Sequence, residues 1–228
     1  MMTVTPRDRQ LVFEITMSYV LSRDQILSLG LFSSITRVNT RLRILRELGL
    51  VRLLETPYFN GSLYVPGVNA GEVLSEHASV LFRARQPSPR FIRHALATTN
   101  IRLALRDKGA VDWRFEPMIS CTFKSKGKTL EVRPDGMAIS PKGVLLTECD
   151  LGHVPIQKFA KKLAVYHDFL SDGHAKQLWD INDFNLLTVT TGSLRASRLR
   201  ELAPKPCSFG YLVQTFDELG AGIVGGWS

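Results

Sequence analysis

Residues 130–150 restrict the fold of this chain more than any other stretch. Leu130-Glu131-Val132 and Val144-Leu145-Leu146-Thr147 are strand-like runs, and Ser140-Pro141-Lys142-Gly143 between them has turn chemistry, so the segment reads as a β-hairpin. With the reversal centred between Pro141 and Lys142, Ser140 faces Gly143, and counting outward sets Asp135 opposite Glu148. Directly opposed residues bring their Cβ atoms to roughly 4.5–5.5 Å. Two carboxylates that close repel unless a cation or a proton lies between them. A divalent metal is the economical expectation. The alternative is a solvated pair partly neutralised by Arg133 on the same face, an exposed ion pair of little energetic value. Asp150 shares the face of Glu148, because side chains alternate along a strand.

The chain has 228 residues, 44% of them hydrophobic, enough for one large domain or two small ones. A net charge of +8 suits a polyanionic partner. Cys121, Cys149 and Cys207 are odd in number and lack metal-site spacing, which argues for a reducing compartment and against a disulfide framework or a zinc site. No apolar run is long enough for a membrane span and no signal pattern opens the chain, so a cytoplasmic protein without a membrane partner is expected.

The first third reads as a winged helix-turn-helix. Thr5 and Pro6 open an amphipathic helix over 6–21, Ser22 caps a short one over 23–29, and Ser33 or Ser34 opens a third that Gly49 stops. Two short strands with a turn at Asn60-Gly61 follow. Helix, helix, turn, helix, hairpin is the winged-helix order, and its third helix is the one that enters a major groove. That helix carries Arg37, Asn39, Thr40, Arg41, Arg43 and Arg46, side chains suited to phosphates and base edges of double-stranded DNA at an origin or operator. The alternatives are a solvated helix face or a winged helix used for protein contacts.

Residues 1–80 are therefore read as a DNA-binding domain with a further short helix over 71–80. Residues 81–90, rich in Arg and Pro, form a linker, and residues 91–228 a second domain. That domain begins with a helix over 91–108, on which His94 and Asn100 are polar. A meander follows with strands over 113–117, 119–124, 129–139 and 143–150, then a helix over 155–170 bearing Lys158, Lys161 and Lys162. Tyr166 has the spacing of a packing residue there. A strand over 185–190, a basic helix over 193–203 and a strand over 210–215 complete an α/β (α+β) arrangement around a mixed sheet.

A helix, a hairpin with Pro-Asp on one strand and Glu on the next, then a lysine-bearing helix resembles the PD-(D/E)XK restriction-endonuclease-like fold. More closely, Arg133-Pro134-Asp135-Gly136, Glu148-x-Asp150-x-Gly152 and Lys162-Leu163-x-x-Tyr166 resemble the consensus of the replication-relaxation family of plasmids and integrative elements, over almost the whole chain. The resemblance implies an N-terminal winged helix joined to a nuclease-like domain, similar to the mobilisation relaxases that nick with an endonuclease-like site. It implies that Asp135 and Glu148 hold Mg²⁺ or Mn²⁺ for phosphodiester hydrolysis or transfer, with relaxosome or coupling proteins as further partners. The PD-(D/E)XK pattern sets a lysine two residues after the Glu, where this chain has Asp150. Three readings stay open: Asp150 is a third metal ligand, Lys162 or Lys158 stands in for the lysine, or the site is degenerate. The last would leave a non-catalytic DNA-binding accessory factor or repressor.

Overall fold

Thr5 starts the first helix, α1 (Pro6–Met17), through a capping box with Asp8. Leu11, Val12 and Ile15 are its buried stripe. The helix stops at Met17, short of the expected 21. Tyr19 takes a left-handed φ of 65°, and Leu21–Ser22 leave as strand β1 to pair with Tyr64 and Leu63. Tyr19 and Val20 continue the helical spacing, but the left-handed turn at Tyr19 ends the helix and Leu21 enters strand pairing. Ser22 and Gln25 form a second capping box on α2 (Arg23–Ser28), and Ser34 caps α3 (Ile35–Glu47), which buries Val38, Leu42 and Leu45. Gly49, at φ 69°, turns the chain into β2 (Val51–Leu54), followed by β3 (Leu63–Pro66). The expected two-stranded hairpin is thus a three-stranded sheet, ordered β1-β3-β2.

The structure, a computed structural model, describes residues 3–75, 88–205 and 207–222. The helix expected over 71–80 begins in that range only as a 3₁₀ turn, Ala70–Glu72, and its second half lies outside the described residues. Of the expected linker, 81–90, residues 81–87 also lie outside them, and Pro89 and Arg90 already belong to α4 (Pro89–Asp107). By compactness the chain divides within α4, one unit reaching Asn100 and the other starting at Ile101. In the first unit, Ile92, Ala95 and Leu96 pack with Val20, Leu63 and Val65. Gln25 Nε2 donates to the Leu96 carbonyl (2.8 Å) and to Asn100 Oδ1 (2.6 Å), so Asn100 has a structural partner in this unit.

The second unit is built on a five-stranded mixed sheet. Strand β4 (Asp112–Phe115) lies antiparallel to β7 (Gly136–Ser140), and β7 antiparallel to β8 (Gly143–Asp150). Strands β9 (Asn185–Thr190) and β10 (Gly210–Thr215) extend the sheet in parallel. The single strand expected over 129–139 is two strands in different sheets. β6 (Lys128–Val132) pairs with β5 (Cys121–Ser125) in a separate ribbon, and the break falls at Arg133-Pro134-Asp135. Proline has no N–H for a ladder, so the run ends there. A short helix, α5 (Glu116–Ile119), links β4 to the ribbon. Helices α6 (Ile156–Ser171), α7 (His174–Trp179) and α8 (Ser193–Arg200) follow, and α9 (Phe216–Leu219) closes the described chain. The core joins Met137, Leu146 and Leu186 of the sheet to Phe159, Leu163 and Phe169 of α6. The fold is mixed α+β. Among the described residues no helix is long and apolar enough to cross a membrane.

Candidate functional site

The turn sets the register: Ser140 pairs with Gly143, and the ladder runs back to Gly136 opposite Thr147. One step further, Asp135 brackets Glu148. Its N–H donates to the Thr147 carbonyl (3.0 Å), and its Oδ2 accepts the N–H of Cys149 (2.7 Å). The facing carboxylates expected from the hairpin are therefore adjacent, and the charge of Asp135 acts on Glu148. Gly136, next in the run, is required by packing: a Cβ there would stand 1.9 Å from Cζ2 of Trp113.

Glu148 is 3% exposed. Lys162 Nζ, from α6, donates to its Oε2 (2.5 Å), and the hydroxyl of Tyr166, one turn further along α6, donates to its Oε1. Burial and then the charge of Asp135 raise the Glu148 pKa to about 7, against the opposing pull of Lys162. Burial pulls Lys162 down, but Glu148 and Asp135 outweigh it and keep its pKa above the ordinary lysine value. Tyr166 is buried as its spacing predicts and is also a ligand of the carboxylate, a role that its packing position concealed. Arg133 pairs with Glu116 of α5.

Asp150, 2% exposed, is engaged elsewhere. Arg195 of α8 grips it with Nε and Nη2 (2.9 Å for the latter), and Thr190 Oγ1 (2.7 Å) and the Gly152 N–H (3.2 Å) also donate to it. Arg195 is held in turn by the Val154 carbonyl (2.6 Å), and the bond to Asp150 raises its pKa. Sequence reasoning missed Arg195; only its place in a basic helix after β9 hinted at it. Among the described residues Lys158 makes no hydrogen bond or ion pair with the site carboxylates, whereas Lys162 bonds Glu148.

Asp135 and Glu148 form a pair of hard oxygen donors. Mg²⁺ commonly binds through one or two carboxylates, completing its shell with water and phosphate oxygens, so the pair fits that ion. Among the described residues no group of three or more His, Cys, Asp or Glu is arranged to hold a metal. Asp150 is instead saturated by Arg195 and Thr190.

In the first unit, Arg37, Asn39, Thr40, Arg43 and Arg46 are exposed along α3. Arg41 is different: its Nε (2.9 Å) and Nη2 donate to Asp8, which is 0% exposed, and Nη2 reaches the Thr3 carbonyl (3.5 Å). Burial disfavours ionised Asp8, but Arg41 and Thr5 overcome this and lower its pKa. Arg41 thus ties α3 to the start of α1.

No curated protein matches the chain. Among solved structures, protein VC1899 from Vibrio cholerae is similar at 12% identity and a TM-score of 0.33. The similarity covers 94% of this chain and 54% of that one, so the chain spans about half of that protein's length. A family profile described as replication-relaxation matches residues 15–180, which takes in the exposed face of α3, the carboxylate hairpin and Lys162. The chain belongs to the replication-relaxation family.

Proposed function

We propose that the chain is a DNA-binding protein of a plasmid or other mobile element, acting in its replication or mobilisation. In this reading the first unit is a winged helix that reads duplex DNA through Arg37, Asn39, Thr40, Arg43 and Arg46 of α3. The second is a PD-(D/E)XK-like unit that hydrolyses or transfers a phosphodiester. The observation that carries the reading is the junction of Asp135, Glu148 and Lys162 at the end of one hairpin.

Asp135 and Glu148 would hold Mg²⁺ or Mn²⁺, which when bound polarises a phosphate and acidifies a coordinated water. The chain's own part follows from its contacts. The Cys149 N–H fixes one oxygen of Asp135, and the Tyr166 hydroxyl fixes one of Glu148, so both carboxylates are oriented in advance. Lys162 brings a cation from α6 to Glu148, where it would stand in for the strand lysine of the PD-(D/E)XK pattern. An ammonium there is suited to stabilising the charge that builds on phosphate oxygens. Asp150 has a structural part, with Arg195 as its counterion.

A second reading is favoured by one observation: both oxygens of Glu148 are already engaged, by Lys162 and Tyr166. A unit with that pairing left intact would be a non-catalytic accessory factor or repressor. Nicking of supercoiled plasmid carrying the cognate origin, with Mg²⁺ or Mn²⁺, separates the two. The nuclease reading expects nicking by the wild type and none by Asp135→Ala or Glu148→Ala. Equal nicking by all three, or none by the wild type, would overturn it.

A further inference from the structure

The N-terminal end of α1 and the side of α3 line an open cavity of about 520 Å³, within the range of small-molecule sites. Its lining includes Arg7, Phe32, Thr36, Arg37, Thr40 and Arg41. Phe32, 9% exposed, offers an aromatic wall anchored in the core of the unit. The lining holds three guanidinium groups and no carboxylate. Arg41 is immobilised by Asp8 and the Thr3 carbonyl. Arg7 and Arg37 are exposed, and their side chains have no partner among the described residues.

An aromatic wall and free guanidinium forks in one cavity select a ligand with two parts. A flat apolar body packs on Phe32 and stacks against guanidinium planes, and a carboxylate takes paired N–H donors from arginine. A bare phosphate would use the arginines and leave the aromatic wall unused. We propose that this cavity is a binding site for a small aryl carboxylate, and that its occupancy opposes DNA binding. The second clause rests on the DNA-reading role of α3. Arg37 and Thr40 belong both to the cavity lining and to the exposed face of α3, whereas Asn39, Arg43 and Arg46 lie outside the lining. A ligand seated on Arg37 removes it from a phosphate or base edge without changing the fold.

Fluorescence titration of the full chain with 2-naphthoate, in the absence of DNA, tests the site. Saturable binding is expected, with 2-naphthamide, the uncharged analogue, about tenfold weaker or worse. Arg7→Ala, an exposed position, should weaken naphthoate about tenfold, and Arg52→Ala, outside the lining, should leave it unchanged. No saturation, equal binding of the amide, or unchanged binding by Arg7→Ala overturns the site. In a second arm, saturating naphthoate should weaken binding of a fragment of the host element by the wild type, while at the same concentration Arg7→Ala keeps its DNA affinity. Naphthoate binding with unaltered DNA affinity overturns the competition. If no fragment binds under any condition, the DNA reading fails, and the titration without DNA still decides the site.

Discussion

Asp8 and Glu148 are both buried carboxylates that face a cation from a neighbouring helix, yet their acidities move in opposite directions. Asp8 receives Arg41 through two nitrogens and Thr5 through both its hydroxyl and its N–H, and its pKa falls below the ordinary aspartate value. Glu148 receives one ammonium and one phenol, shares its surroundings with Asp135, and stands at about 7. Asp150 resembles Asp8: an arginine fork, a threonine hydroxyl and a backbone N–H satisfy it. An acid that serves as a strut is over-supplied with donors. An acid set beside a second acid keeps unfinished electrostatics, and that excess negative charge is what a divalent cation or a phosphate-handling site can use. The contrast therefore separates Glu148 from Asp150, although the two share a strand face.

The largest expected effect comes from breaking a strut. Arg195→Ala leaves Asp150 buried without its counterion and should cost about 3–5 kcal/mol of unfolding free energy in urea titrations. A loss under 1 kcal/mol would remove Asp150 from the strut class. Arg41→Ala should cost about 2–3 kcal/mol by the same measurement, less because Thr5 still donates to Asp8.

Lys162→Met sharpens the comparison from the other side. Glu148 can take up a proton once its cation is gone, so the variant should lose about 1 kcal/mol or less at pH 6 and visibly more at pH 8.5, while nicking is lost. A pH-independent loss as large as that of Arg195→Ala would make Glu148 a strut as well. The pH dependence of the wild type has a definite sign. Because the folded-state pKa of Glu148 is raised from 4.5 to about 7, the folded chain binds more protons than the unfolded one between those values. Its contribution to stability is complete below about 4.5 and is lost as pH rises through about 7. Unfolding in EDTA should show this decline, on the order of 3 kcal/mol, and Glu148→Gln should flatten it. A decline of the same size in Glu148→Gln would assign it to other groups. The smallest effect on stability is expected on the exposed face of α3. Arg43→Ala should change unfolding by less than about 0.5 kcal/mol, weaken binding to DNA, and reduce the salt slope by about one.

Local chemistry made much of this legible. The turn at Ser140-Pro141-Lys142-Gly143 determined the hairpin register, and with it the meeting of Asp135 and Glu148. Thr5, Ser22, Ser34 and Gly49 marked helix ends where the structure has them. What stayed hidden depends on distant partners. Tyr19 and Val20 fit a helix until the residues that follow them, Leu21 and Ser22, pair with β3. Arg195 reaches Asp150 from 45 residues away, through a parallel crossover that no spacing rule resolves. Arg41 has the composition of a DNA contact, and only the burial of Asp8 reveals its other employment. Tyr166 was legible as core, but its hydroxyl was not, because apolar spacing says nothing about where a phenol points.

The sheet order also has a kinetic consequence. β7 and β8 are joined by a tight turn, so Asp135 and Glu148 come together through contacts local in sequence. Their cation arrives only when α6 docks, and β9 joins β8 only after the whole crossover has closed, a later and slower event. During that interval the nascent hairpin carries two unneutralised acids at its open end. Refolding should therefore quicken when the pH is lowered toward 5 or when millimolar Mg²⁺ is present, and Asp135→Asn should refold quickly under either condition. The carboxylate pair that would serve a phosphate in the finished protein is, for a folding chain, an obstacle that protons and metal ions relieve.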